Sequence, residues 1–315
     1  MSSPPAPTLP PLGAPPRRSG SGRGSLDAFY TKPDVAAACL RDATGLLSEL
    51  DLPAEPLFVE PAAGSGAFFL RLPPDRRVGL DIAPAGPGIA RQDFLVFPGP
   101  GGADRRATVV IGNPPFGKRG RLALAFVRHA ASFADTIAFI VPLNFRKFPI
   151  HRRIPPGYRW IFARPLPEDA FELPDGRGCR VRTEFQVWTR RPSPHADRRL
   201  HRPTPIRHPD FVMWQYNNTR EALRVFRQDF DFAVPCQGWQ DYGRRETEAD
   251  ACEKHKQWML IRPRNPLARK RLLEEIDYGE LALRTATSVP GFRKGDLVLE
   301  YQRRFETAPG RERRG

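Results

Sequence analysis

No apolar run in this 315-residue chain approaches the twenty or so residues that a membrane span needs; Ile137-Ala-Phe-Ile-Val141 stops at Pro142. A soluble, intracellular protein is expected. Cysteine is scarce: Cys39, Cys179, Cys236 and Cys252 include no Cys-x-x-Cys pair, which excludes a dense disulfide framework and an ordinary zinc site. Cys252-Glu-Lys-His255 has ligand-like spacing downstream of Cys236, but a fourth ligand is missing, so reduced structural thiols and no metal are expected. Acidic residues are absent before Asp27, where Pro, Ser, Gly and Ala surround Arg17, Arg18 and Arg23. Such a segment has too little apolar surface to bury, and its proline density opposes the amphipathic helix of an organelle leader. Residues 1–26 and 305–315 are read as disordered tails.

What is abundant is positive charge. Fifty Lys and Arg against 35 Asp and Glu leave a formal net charge of +15, which favours a polyanionic partner, nucleic acid first. The chain is long enough for one catalytic domain of roughly 170 residues and a smaller unit.

The most informative stretch is Asn113-Pro114-Pro115-Phe116-Gly117, which ends the β-branched run Thr108-Val-Val-Ile111. A strand stopped by Gly-Asn-Pro-Pro projects an amide, two rigid prolines and an aromatic ring beyond its carboxyl end, where an open α/β sheet binds ligands. This cluster suits methyl transfer to a planar exocyclic amine. The Asn113 carboxamide oxygen and the Pro114 carbonyl can each accept one N–H, favouring the pyramidal nitrogen whose lone pair is available. Pro115 would fix the backbone and Phe116 would stack on the base. The plain alternative is a Pro-Pro turn after a core strand.

Upstream, Leu57-Phe-Val-Glu60 reads as a strand, Gly64-Ser-Gly66 as a turn that lets backbone approach a ligand, and Ala67-Phe-Phe-Leu70 as the start of a helix. A third glycine in dinucleotide spacing and a following Lys-Ser/Thr are both lacking, so a nicotinamide site or a P-loop fits poorly. Glu60 at its strand end can pair with a cation. Asp81, ending the strand Val78–Ile82, can accept both hydroxyls of a ribose, and Asp93 with Phe94 can take an adenine amine and cover its ring. Each carboxylate alone also reads as a loop or cap residue. Before them, Val35–Leu50 reads as a helix opened by Pro33.

Phe29-Tyr30-Thr31, Glu60-Pro-Ala-Ala-Gly64-Ser-Gly66, Asp81, Asp93 and Asn113-Pro114-Pro115-Phe116, in that order, resemble the motifs of the S-adenosylmethionine-dependent adenine-N6 methyltransferases in their gamma-type arrangement. The resemblance covers about residues 28–190. It implies a Rossmann-like class I methyltransferase sheet, α/β, with Tyr30 and Thr31 near the methionine end of the cofactor. It further implies Glu60, Gly64 and Gly66 along the cofactor, Asp81 on its ribose, Asp93 and Phe94 at its adenine, and Asn113, Pro114, Pro115 and Phe116 as the catalytic motif. Lys32 here separates Thr31 from Pro33, which are adjacent in the usual pattern. The expected activity is adenine-N6 methylation of nucleic acid, DNA ahead of RNA. Alternatives are RNA adenine methylation, glutamine methylation of protein, and a non-catalytic nucleic-acid-binding protein that keeps the fold.

The helix-period run from Leu122 to Phe133, the strand Thr136–Val141 and an antiparallel hairpin of 158–163 with 183–189 complete this domain, residues 27–191. Phe145, beyond Pro142, is either a second stacking ring or a core aromatic. His129 reads as a surface or core residue. Residues 192–209, rich in Pro and Arg, read as a linker. Residues 210–304 read as a small α+β substrate-recognition region: Trp214, Tyr216, Trp258, Arg262, Arg264, Lys270 and Arg271 mix aromatics and cations as a nucleic-acid reader does, or the aromatics are its core.

Overall fold

A computed structural model of the chain describes residues 29–52, 55–101, 107–173, 175–286 and 289–306. The expected terminal tails lie almost wholly outside these residues. No helix among them is long and apolar enough to cross a membrane.

The larger unit is a doubly wound α/β sheet of seven strands: β1 (Leu57–Glu60), β2 (Arg77–Asp81), β3 (Ala90–Arg91), β4 (Thr108–Gly112), β5 (Thr136–Pro142), β6 (Arg159–Pro165) and β7 (Thr183–Thr189). Their order is β3-β2-β1-β4-β5-β7-β6. The first five are joined by parallel pairings, and β7 runs antiparallel to both β5 and β6. This is the Rossmann-like class I methyltransferase sheet. Val109, Val110 and Ile111 are wholly buried because helices cover both faces, which explains their unbroken apolar run. The chain winds outward from β1 to β3 and then returns to β4, so the switch point lies between the ends of β1 and β4.

Helix α1 (Pro33–Ser48) buries Val35, Ala36, Cys39, Ala43, Leu46 and Leu47. Its Asp42 is tied to Arg164 of β6 by an ion pair of 2.5 Å. Helix α2 (Arg121–Ala130) buries Ala123, Leu124, Phe126, Val127 and Ala130 on the helical period the sequence shows.

The helix expected after Gly66 does not form. The segment makes turns and one short 3-10 helix, Phe69–Arg71. Pro73 and Pro74 stop it, and the Phe69 ring lies flat over Gly79, where a Cβ would stand 2.7 Å from it.

Residues 192–209 are not a free linker throughout. The Arg199 guanidinium donates to the carbonyls of His151, Ile154, Pro155 and Tyr158, and Asp197 accepts from the Trp160 amide at 3.0 Å, pinning this stretch to the sheet's edge.

His151, fully buried in α3 (Phe148–His151), donates from Nε2 to the Phe145 carbonyl at 2.6 Å and accepts the Leu200 N–H on Nδ1 at 2.9 Å. Burial first, and then the nearby Arg199, push its pKa down to about 4 despite the carbonyl bond. The folded state therefore holds fewer protons than the unfolded state between about 6.5 and 4. This contribution to stability is whole above pH 6.5 and is lost as pH falls toward 4, a change on the order of 3 kcal/mol. Melting curves at pH 7 and pH 4.5 are expected to differ accordingly, and His151→Gln, which keeps both bonds but does not titrate, is expected to remove that part of the difference.

The smaller unit, residues 208–306, has an antiparallel sheet ordered β8-β10-β9, with β8 at Phe211–Tyr216, β9 at Phe232–Gln237 and β10 at Gln257–Pro263. Helices α4 (Pro266–Lys270), α5 (Tyr278–Thr285) and α6 (Lys294–Phe305) cover one face, over Met213, Val234, Met259 and Ile261. Residues 221–230 cover the other, over Tyr216, Trp258 and Leu260. Phe211, Tyr216 and Trp258 are thus core residues rather than a displayed reading surface. Arg284, Arg303 and Arg304 converge on buried Glu300; they outweigh its desolvation and hold its carboxyl down to about 2.

Candidate active site

At the switch point the two strand ends enclose a cavity of about 330 Å³, within the range of small-molecule sites. Tyr30, Thr31, Glu60, Gly64, Asp81, Asp93, Phe94, Asn113, Pro114, Pro115 and Phe116 all line it. They come from segments up to 86 residues apart, brought together by the sheet.

Gly66 is not on the wall. It has φ +90, its amide donates to the Ala63 carbonyl at 2.7 Å, and a Cβ there would stand 3.0 Å from Leu70. It shapes the turn rather than admitting a ligand. Gly64 does line the cavity: with φ +51, its would-be Cβ lies 2.9 Å from the Tyr30 ring, so the ring packs directly on its backbone.

Asp81 ends β2 with both oxygens oriented. Oδ2 accepts the Gly64 N–H at 2.8 Å and Oδ1 the Ala83 N–H at 2.7 Å. Each retains acceptor capacity for a hydroxyl. Asp93 caps the turn Phe94–Val96 through Oδ1, and its other oxygen has no hydrogen bond among the described residues. Phe94 packs against Phe126 and His129, with ring centroids 5.1 and 4.9 Å away, and lends one edge to the cavity. Glu60 is 2% exposed and accepts the Phe69 N–H at 2.6 Å. Desolvation raises its pKa well above the usual range, with nearby Asp81 adding to the rise, so its charged form gains most from an arriving cation.

A strap covers the opposite wall. Tyr30–Thr31 pairs with Phe171–Glu172, which pairs in turn with Gly178–Cys179. Phe171 meets Phe29 at 6.4 Å and Phe116, edge to face, at 6.5 Å. The Asn113 Nδ2 donates to the Phe29 carbonyl at 3.3 Å. Its Oδ1 is buried and has no partner among the described residues. Because a carbonyl accepts only from the NH2 end of the amide, this contact fixes which end is free. The Pro114 carbonyl also accepts no hydrogen bond among the described residues.

Beyond Phe116, Gly117 (φ +63) and Gly120 (φ +72) turn the chain into α2, and the Phe116 carbonyl accepts the Leu122 N–H at 3.1 Å. Asn144 donates to the Arg119 carbonyl at 2.8 Å, joining the turn after β5 to this loop. Phe145 is fully buried, so it is a core aromatic. His129 bonds the Phe97 carbonyl at 2.8 Å within the aromatic cluster. Ile82 escaped the sequence reading: it is 50% exposed and lines the cavity directly after Asp81. An apolar residue straight after an acidic strand end was the available signal.

The cysteines are free, and burial pushes the thiols of Cys39 and Cys236 up to about 12 and that of Cys252 up to about 11. Elsewhere His208, Asp210 and Glu306 bring three ligand-type atoms within 4.8 Å. The His208 Nδ1 already accepts the Asp210 N–H at 3.2 Å, while its buried Nε2 lies 2.8 Å from a Glu306 carboxylate oxygen without hydrogen-bond geometry.

No protein-family model and no curated protein matches the chain. Among solved structures, the 23S rRNA methyltransferase ErmE aligns at 16% identity over 54% of this chain and 72% of that one, with a TM-score of 0.37. The magnesium protoporphyrin IX methyltransferase (ChlM) from Synechocystis PCC 6803 with bound SAM aligns at 13% identity over 49% and 78%, with a TM-score of 0.33. The M protein of the type I restriction enzyme EcoKI aligns at 14% identity over 91% and 74%, with a TM-score of 0.36. At these identities and scores the likeness says nothing of what this chain binds or does.

Proposed function

We propose that the protein transfers a methyl group from S-adenosylmethionine to the N6 amine of adenine in nucleic acid, with DNA ahead of RNA. The observation that carries this reading is Asn113: a buried carboxamide oxygen with no partner among the described residues, on the wall of a cavity, its NH2 end held by Phe29. A buried acceptor left unpaired is costly and calls for a donor from a ligand. The unaccepted Pro114 carbonyl beside it supplies a second acceptor, and an exocyclic amine has two N–H groups to give.

The residues present fit the cofactor. Gly64 lines the cavity without a side chain to fill it, Asp81 offers two oriented oxygens to a diol, Asp93 one oxygen to an amine, and Glu60 a buried carboxyl to an ammonium. When bound, the cofactor supplies a methyl group on a positively charged sulfur. This chain's own contribution is to hold the amine: Asn113 and Pro114 accept hydrogen bonds from its two N–H groups, which turns the nitrogen lone pair out of the ring plane, while Phe116 contacts the base. With the cofactor bound, the carbon–sulfur bond would break as the nitrogen–methyl bond formed, and the proton thereby acidified on nitrogen would leave to solvent. An adenine in a duplex would have to be flipped out to reach this wall.

The test is to incubate the protein with isotope-labelled cofactor and matched DNA and RNA, digest the products to nucleosides and identify the labelled one. N6-methyladenine from DNA is expected. Label in RNA alone would move the substrate to RNA, and label in neither would overturn the reading.

A further inference from the structure

Phe116 reaches the cavity from a strand end, and residues 117–120 then turn the chain back before α2 begins at Arg121. The turn is tightly closed. The Phe116 carbonyl accepts the Leu122 N–H at 3.1 Å and the Ala123 N–H at 3.4 Å, and a Cβ on Gly117 would stand 2.9 Å from the Leu122 Cβ. Phe116, Leu122 and Phe126 all line the cavity, so the backbone of this turn sets how one stretch of its wall meets the next. Gly117 (φ +63), Arg119 (φ +56) and Gly120 (φ +72) all take positive φ there. Glycine does so freely; arginine does not, because its Cβ crowds the neighbouring carbonyl oxygen. A strained residue of this kind persists only where its surroundings hold it.

The hold on Arg119 comes from the neighbouring strand end. Asn144, in the turn Leu143–Arg146 after β5, donates from Nδ2 to the Arg119 carbonyl at 2.8 Å. Its amide also lies against the Gly120 backbone, where a Cβ would meet Nδ2 and Oδ1 at 3.1 Å each. No other side chain is hydrogen-bonded to residues 117–121 among the described residues. The Asn144 Oδ1 is buried and has no partner among the described residues. A bond made at one end of the amide and an acceptor stranded at the other offset each other, so Asn144 adds little to the stability of the fold. What it does is fix one carbonyl, and with it the turn.

We propose that Asn144 is a positioning residue for base capture: by holding Arg119 at positive φ it holds the turn that seats Phe116, and through Phe116 the target adenine. This role rests on the function proposed above. Asn144 does not line the cavity, so its effect passes through the turn. Stacking acts both before and during transfer, so the loss on removing Asn144 falls on capture of the nucleic acid. Glu60, Gly64 and Asp81 lie at other strand ends, so cofactor binding is left as it was.

The test is transfer of labelled methyl from S-adenosylmethionine to a single-stranded, adenine-containing DNA oligonucleotide by the full chain and its variants, with hydrogen exchange of residues 116–123 followed by mass spectrometry. Asn144→Ala is expected to lower kcat/KM for the oligonucleotide about tenfold, within the worth of one base–aromatic stack. Its KM for S-adenosylmethionine, circular dichroism and melting temperature should stay close to wild type. Asn144→Asp keeps the size of the side chain but has no N–H to donate, and should lose as much. Residues 116–123 should exchange faster in both variants. In a Phe116→Ala background, Asn144→Ala should cost nothing more, because the two act as one unit. In the Asn144→Ala background, Arg119→Gly should recover most of the loss and Arg119→Ala none: both remove the charge, and only glycine takes positive φ freely. Wild-type kcat/KM in a folded Asn144→Asp protein, or a further loss of about tenfold from Asn144→Ala on top of Phe116→Ala, would overturn the proposal. Faster exchange in the variants of a protein that methylates neither DNA nor RNA would sink the proposed activity and leave Asn144 a clamp on the turn alone; methylation with rate and exchange unchanged in both variants would sink the Asn144 proposal alone.

Discussion

Asn113→Ala is expected to lower the single-turnover rate of methyl transfer by at least about a hundredfold, the scale of one aligned acceptor at a centre of developing charge. Cofactor affinity and fold should survive, because the Asn113 side chain makes one hydrogen bond of 3.3 Å to the strap and no other. The loss falls on the step in which the amine pyramidalises, since the acceptor is then worth more than in the ground state. Asn113→Asp discriminates further. A carboxylate still accepts, so the catalytic acceptor remains, but it cannot donate to Phe29, so the side chain loses the contact that orients it. Intermediate activity is expected. Phe116→Ala should instead weaken base capture and turnover together, as stacking is present throughout. The measurement is transfer of labelled methyl to an adenine-containing oligonucleotide under single-turnover conditions. A folded Asn113→Ala protein working at the wild-type rate would remove the mechanism.

Asp81→Ala is expected to weaken S-adenosylmethionine binding by about a hundredfold or more. Two effects add. The ribose hydroxyls lose a charged acceptor, worth about 1.5–3 kcal/mol for each such bond. The Gly64 and Ala83 amides also lose the carboxylate that holds them, at 2.8 and 2.7 Å, so both loops flanking the cavity are released. Asp81→Asn should rescue little, because one end of its amide presents N–H groups to a backbone N–H. Isothermal titration decides this: wild-type affinity in a folded Asp81→Ala protein would mean that the cofactor lies elsewhere.

The positions of the strands were legible because their patterns are local. Val109, Val110 and Ile111 form an unbroken apolar run, which only a strand covered on both faces tolerates. The acidic residues and glycines that follow such runs mark strand ends, so Glu60, Asp81 and Asn113 were found where the chain leaves the sheet. The helix expected after Gly66 failed for a local reason that was also visible, Pro73 and Pro74, and for one that was not, the fit of Phe69 onto Gly79 in the neighbouring strand.

What the sequence by itself determined is where the strands end and which residue types they carry there, which follow from periodicity and turn chemistry within a dozen residues; the kind of sheet came from the resemblance of those motifs to a known family. What only the tertiary structure decided are pairings across long separations. The flip of Asn113 is set by a carbonyl 84 residues away. Trp258 and Tyr216 are core because residues 221–230 close the second face of their sheet, and strand alternation alone cannot tell a face covered by protein from one left open to a ligand. Composition counts fifty cations, but which of them are paired depends on carboxylates brought in from elsewhere in the chain: Glu300 absorbs three arginines, while Lys147 and Lys294 are among those that make no ion pair with the described residues. Coulomb attraction falls off over a few ångströms of folded space, a distance that separation along the chain does not measure.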